Sequence, residues 1–265
     1  MARERTVVRG IVLRVSESKE SDCVLTVLTD EMGKLPVIAK GARSRRSKVS
    51  AAAQLLTYSE MVLSESHGWQ YLTEANTIEL FDGVRSDVEL LSLASYFAEL
   101  VDHVASDDAE AGELLPLLLN ALYALGTLHR PQELVKAAFE LRLMALIGFE
   151  PLLDACCACG AAEPDAPVFD LQGGTLLCRA CGQSGRFAPL TRGALQAARH
   201  VLYGDPRRLY SFSLREEDQS CFLRTVEAYV HAMLDHNFHT LQFYKSLRSY
   251  AAGQKMITNG INNSE

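Results

Sequence analysis

Between residues 6 and 81 apolar and polar positions alternate in five runs. They are TVVRGIVLRV (6–15), CVLTVLTD (23–30), MGKLPVIAKG (32–41), LLTYSEMVLSE (55–65) and GWQYLTEANTIELF (68–81). Each is rich in β-branched or aromatic residues and bounded by polar or glycine-containing turns, the pattern of half-buried strands. Only the connection at 41–54 is longer than a tight turn. Five short strands in so short a stretch predict a small closed barrel, either an OB-fold, the commonest such barrel that binds nucleic acid, or an SH3-like one.

From about residue 86 the period lengthens to that of a helix. Val88, Leu91, Ala94, Ser95, Ala98 and Val101 recur on one face of a helix over 86–105,. Residues 114–128 are apolar around most of the circumference, which predicts a buried helix with Pro116 in its first turn,. Pro131 opens another helix that ends near Gly148,. Thr191 is placed to cap a helix through about Leu202,. A last helix over 216–235 carries the stripe Phe222, Val226, Tyr229, Val230 and Met233, read as core,. The polar tail 249–265 is expected to be disordered,. The predicted organisation is a barrel domain at 1–82, a helical domain at 83–248 with a metal hairpin at 154–184, and that tail.

Cysteine spacing adds the sharpest chemistry. Cys156 and Cys159 form one C-x2-C pair, Cys178 and Cys181 another, and eighteen residues separate the pairs. This is the spacing of a four-cysteine zinc site. Four thiolates close a tetrahedral shell and leave no position for water or substrate, so the expected zinc is single and structural. Gly160 and Gly182 follow the second cysteine of each pair, where positive φ would ease the turn,. The glycines and prolines between the pairs predict a small hairpin. The alternative is four cysteines buried or paired without metal, and disulfides would need an oxidising compartment. Cys157 fits the spacing poorly, and Cys23 and Cys221 read as ordinary core thiols,. His231, His236 and His239 lack the i, i+4 spacing of a helical metal site,.

Charge is unevenly spread. The whole chain carries −7, yet its first 50 residues hold 11 Lys and Arg against 6 Asp and Glu, a balance of +5. Most of that excess lies in KGARSRRSK, where Lys40, Arg43, Arg45, Arg46 and Lys48 occupy five of nine positions with no acid among them. A polyanion with phosphates is the natural ligand of such a loop; a solvated loop or a protein contact is the alternative. Arg14, Lys34 and Arg9 would extend the track if their strands face the same way. Tyr58, Trp69 and Tyr71 would offer stacking faces for bases, or else fill the barrel core or its join to the helices, which is the expectation for at least two of them. No phosphate-binding loop, H-E-x-x-H or G-x-S-x-G motif occurs, and no carboxylate pair stands out, so catalysis is not expected,. No apolar run approaches the roughly 20 residues of a membrane helix, and no signal peptide is evident,. With seven cysteines and one metal pattern, a reducing cytoplasm is the expected compartment,.

The order barrel, basic KGAR loop, helical body and paired C-x2-C motifs resembles the RecO family over roughly residues 1–245. The resemblance is carried by RGIVLRVSESKESDCVLTVLTDEMGKLPVIAKGAR at 9–43, GFEPLLDACCACG at 148–160 and GGTLLCRACG at 173–182. Some members lack the full cysteine set, whereas this chain has all four; Cys157 and the tail after about Leu247 lie outside the pattern. The resemblance implies an OB-fold that binds single- and double-stranded DNA and a helical domain with a structural zinc hairpin. It further implies a non-enzymatic recombination mediator that anneals complementary strands. Its partners would be the ring-forming RecR and the acidic tail of single-stranded-DNA-binding protein, and it would help load recombinase. On that basis DNA contact falls to Lys40, Arg43, Arg45, Arg46 and Lys48, with Arg14 and Lys34 beside them, and the acidic tail to Lys136 and Arg142 on the 131–147 helix.

Overall fold

A computed structural model describes residues 5–106, 112–183, 185 and 187–262. The first and last residues of the predicted domains, 1–4 and 263–265, and position 184 of the hairpin lie outside them. The chain divides into two compact units, one of residues 1–127 with 238–265 and the other of residues 128–237.

In the first unit the five predicted strands are all present: β1 (Arg5–Ser18), β2 (Asp22–Thr29), β3 (Lys34–Ala39), β4 (Tyr58–Ser66) and β5 (Trp69–Glu79). They close a barrel in the order β1-β2-β3-β5-β4, with β3 and β5 parallel and the other pairs antiparallel. This is the OB-fold connectivity. β1 is long because it serves both halves: residues 5–11 pair with β4 and residues 10–18 with β2, with a register shift between Val12 and Arg14. Alternation then does what it must in a closed sheet. Val8, Val12, Leu25, Val27, Val37, Met61 and Leu63 point inward and are buried together.

The connection from β3 to β4 is not a free loop. Ala42, Val49 and Ala53 belong to the barrel core, and Leu56 N–H donates to Val12 O. These small and apolar residues cap the barrel end and fix the polar residues between them.

Four helices complete this unit: α1 (Asp82–Arg85), α2 (Val88–Val104), α3 (Leu114–Gly126) and α7 (His239–Asn262). Asp87 caps α2 by accepting from Glu89 and Leu90 N–H. α7 differs from expectation. The helix runs through Asn262, where the sequence suggested a tail without structure beyond residue 249. Its start is held by tertiary contacts that have no local signal. Phe238 meets Tyr96 and His103 edge-on, both at 5.6 Å, and Thr240 donates to Glu99 on α2. The helical part of the chain is therefore shared between the two units, with α1–α3 and α7 in the same unit as the barrel.

The second unit packs α4 (Gln132–Leu146), α5 (Arg192–Tyr203) and α6 (Glu216–Leu234) with a three-stranded sheet of order β7-β6-β8. β6 (Pro167–Asp170) and β7 (Thr175–Cys178) form the predicted hairpin, and β8 (Phe187–Pro189) adds to β6. Thr191 caps α5 through a bond from Ala194 N–H. The α6 stripe is core except at its end: Phe222, Val226, Tyr229 and Val230 are buried, Met233 is half-buried, and Phe169 of β6 packs edge-on against Tyr229 at 5.1 Å. Among the described residues no helix is long and apolar enough to cross a membrane.

Candidate nucleic-acid interface and metal centre

The basic loop keeps its charges outside while its small residues turn in. Lys40, Arg43, Arg45, Arg46 and Lys48 are exposed, whereas Ala42 among them and Val49 directly after them are buried. The loop start is anchored to the β1–β2 turn: Gly41 N–H donates to Asp22 Oδ1 and Arg43 N–H to Ser21 O. Lys40 Nζ stands 4.8 Å from the centre of the Tyr71 ring, a cation–π contact,. Arg43 meets Glu17 at 2.9 Å in an exposed pair of little strength,. Arg45, Arg46 and Lys48 have no carboxylate within salt-bridge distance among the described residues.

Beside this loop lies the outer face of β2, β3 and β5. Val24 pairs with Ile38 and Ile38 with Tyr71, so three partly exposed apolar residues stand in one row across the strands. Trp69, two residues before Tyr71 on the same face, is 47% exposed at the exit of the β4–β5 turn. Ligand contact in OB-folds uses this strand 2–3 face with the 1–2 and 4–5 turns. Contrary to expectation, then, Trp69 does not fill the core, and Tyr71 is only half-buried. Tyr58 is part of the barrel wall, its pKa raised by burial and by Asp30.

Arg14 and Lys34 share one carboxylate partner. Arg14 Nε meets Asp102 Oδ2 at 3.1 Å, and Lys34 Nζ meets Asp102 Oδ1 at 3.4 Å and donates to Asp102 O at 2.6 Å. Both tie the barrel to α2. Asp102 was invisible to sequence reasoning because its partners lie 88 and 68 residues away. Arg9 pairs with Glu60 across β1 and β4.

Lys136 and Arg142 both make contacts within their own unit. Lys136 is only 7% exposed, and its ammonium is enclosed by Glu140 at 2.8 Å and Glu227 at 3.0 Å. Burial works against its charge, but the two carboxylates outweigh it and raise its pKa. Arg142 donates to Leu202 O at 2.9 Å and joins α4 to α5. Their charges serve the packing of the unit, so Lys136 cannot meet an acidic peptide. Lys136→Met leaves Glu140, 0% exposed, without its lysine and lowers stability by about 3–5 kcal/mol in denaturant melts,. The contribution of Lys136 is complete at neutral pH. It disappears only as pH climbs above the ordinary lysine value of 10.5 and through the raised one,.

The four predicted cysteines converge. The sulfurs of Cys156, Cys159, Cys178 and Cys181 all lie within 4.8 Å of one another, and they are the one such cluster among the described residues. Cys159 and Cys178 sulfurs are 3.9 Å apart and those of Cys178 and Cys181 3.2 Å. A tetrahedral zinc with bonds of about 2.3 Å needs sulfurs about 3.8 Å apart. The set therefore fits a metal with slight opening. Each knuckle is a backbone turn: Gly160 N–H donates to Cys156 O and Gly182 N–H to Cys178 O. Gly160 has the expected positive φ of 76°. Gly182 does not; it is needed because a Cβ there would come 2.7 Å from Val168 Cγ2. Cys178 N–H donates to Cys156 Sγ at 3.3 Å, which is the first cause bringing the Cys156 thiol down to about 6. Cys181, bonded by Cys178 Sγ, is pushed up to about 12. Cys157 is exposed and outside the cluster, while Cys23 and Cys221 are buried as read. The three histidines form no metal cluster among the described residues.

An OB-fold barrel with a basic cap, followed along the chain by helices and a four-cysteine hairpin, defines a class of two-part protein with a cationic barrel surface and a candidate metal centre. Residues 1–81 match the family described as Recombination protein O N terminal, and residues 85–242 that described as Recombination protein O C terminal. Curated relatives are named DNA repair protein RecO. One from Acetivibrio thermocellus is 30% identical over 90% of this chain and 95% of its own. One from Symbiobacterium thermophilum is 32% identical over 91% and 97%. One from Heliobacterium modesticaldum is 39% identical over 76% and 75%. The chain belongs to the RecO family of DNA repair proteins.

Proposed function

We propose that this chain is a recombination mediator that binds single- and double-stranded DNA and anneals complementary strands. It also helps load recombinase onto strands coated by single-stranded-DNA-binding protein, with RecR as its ring-forming partner. The observation that carries the DNA reading is the cluster Lys40, Arg43, Arg45, Arg46 and Lys48, exposed on a rigid barrel cap. Two strands repel through their phosphates, and cations on a small surface reduce that repulsion by releasing counterions. Annealing then needs no bond-making residue. The four cysteines hold one zinc, whose role is structural because every coordination position is a thiolate,.

Trp69 and Tyr71 stand next to the phosphate track and give it a preference for unpaired bases, since a duplex presents no free base face,. Trp69→Ala weakens single-strand binding by about 1–3 kcal/mol and duplex binding by much less. Mobility shifts with oligonucleotides of several sequences, followed by annealing of complementary pairs, test the whole reading. Shifts at low salt with faster annealing support it. A chain that leaves all oligonucleotides unshifted is an interaction scaffold, and cleaved DNA after long incubation would mark an enzyme.

A further inference from the structure

The two knuckles of the metal centre are not held alike. Cys178 ends β7, and the sheet sets its position. Cys156 and Cys159 sit on irregular chain between Leu153 and Pro167, joined to the sheet by Cys157 N–H donating to Leu176 O. A single side chain from α5 brackets that irregular segment. Arg199 Nε donates to Leu153 O at 2.9 Å, and its Nη2 donates to Asp154 O at 3.0 Å and to Ala162 O at 2.7 Å. Its Nη1 meets Glu163 Oε1 at 2.7 Å. Leu153 and Asp154 precede Cys156, and Ala162 and Glu163 follow Cys159, so one guanidinium draws both ends of the first knuckle together. Tyr203, one turn further along α5, accepts from Leu153 N–H and donates to Pro151 O.

We propose that Arg199 is the positioning residue of the metal centre, holding the Cys156–Cys159 knuckle at the separation a single divalent cation requires. The inference rests on the reading that the four cysteines bind zinc. One planar guanidinium serves three backbone carbonyls and a carboxylate at once. Lysine keeps the charge but not the planar geometry that reaches all four. Without Arg199 the flanks at Leu153–Asp154 and Ala162–Glu163 lose their shared clamp, and the knuckle keeps its own backbone bonds, Cys156 N–H to Ala161 O and Gly160 N–H to Cys156 O. Cys178 and Cys181 remain in place, and the shell must close against the entropy of the loosened segment. Partners outside the ligand shell commonly change metal affinity by about 10- to 100-fold.

The test uses the full-length, zinc-loaded chain and follows zinc transfer to a colorimetric chelator at 25 °C. The proteins compared are wild type, Arg199→Lys, Arg199→Ala and Gln196→Ala, the last an exposed α5 position. Arg199→Ala is expected to release zinc at least about 10-fold faster than wild type, Arg199→Lys at an intermediate rate, and Gln196→Ala unchanged. If Arg199→Ala does not fold, Arg199→Lys alone carries the comparison. Release at the wild-type rate from both Arg199 variants overturns the inference and leaves the zinc reading standing. So does a lowered melting temperature with unchanged release, which is the signature of a purely structural arginine. A wild type that carries no zinc overturns the zinc reading itself.

Discussion

Replacing Arg43, Arg45 and Arg46 together with alanine weakens binding to single- and double-stranded DNA of every sequence by about 10- to 100-fold near 0.1 M salt. The range follows if each exposed charge contributes about 0.5–1 kcal/mol, as exposed ion pairs do. The loss is uniform across sequences because phosphates carry no base identity. The fold does not suffer. The three side chains are exposed, and the loop is held by Ala42, Val49 and Ala53 in the barrel core and by the bonds of Gly41 and the Arg43 backbone to the β1–β2 turn. Melting temperature should therefore stay within a degree or two of wild type while affinity falls. Arg14→Ala behaves differently. It removes a bond to Asp102, so its first effect is on the tie between barrel and α2.

On the reading that the four cysteines hold zinc, removing the metal has the other large effect. Cys178→Ser takes away a cysteine whose thiol or backbone N–H meets all three others, and prolonged exposure to a strong chelator takes away the metal they would share. The strands it supports are four residues each, too short to persist unaided,. Hydrogen exchange should show the amides of Phe169, Leu176 and Leu177 losing protection, and the packing of Phe169 on Tyr229 loosening with them,. Several kcal/mol of stability leave the second unit, because metal affinity there is folding free energy. The barrel amides of Val12, Leu25 and Val37 keep theirs, and oligonucleotide binding persists. Protein shown to have lost its metal yet exchanging at the wild-type rate would exclude a structural role.

How much of this could be read from residues alone depends on the range of the interaction involved. Strand alternation is local, and all five barrel strands were legible from it; the closure through parallel β3 and β5 was not, since ladder order is a long-range property. C-x2-C spacing is local too, and the four sulfurs meet as expected. The cationic loop was legible as charge. What the pattern hid was that alanines and a valine within it are core residues, which turns a flexible segment into a rigid cap. The partners of Arg14, Lys34, Lys136 and Arg142 were hidden for one reason: a lysine or arginine looks the same in sequence whether a distant carboxylate or carbonyl meets it or not. Asp102, Glu227 and Leu202 are those partners. Arg199 escaped for the same reason, its acceptors lying 36 to 46 residues away. α7 escaped because its start has neither a capping signal nor a strong apolar stripe; contacts with α2 hold it,.

The central claim is that sugar-phosphate chains are gripped by the cationic cap of the barrel. The most direct measurement is the slope of log affinity against log salt, for wild type and the Arg43, Arg45, Arg46 triple alanine variant, on one duplex and one single strand. The slope should become shallower by about 2–3 on the duplex and about 2 on the single strand, since each phosphate no longer neutralised removes roughly 0.9 and 0.7 respectively. An unchanged slope with unchanged affinity would place the DNA somewhere other than residues 40–48.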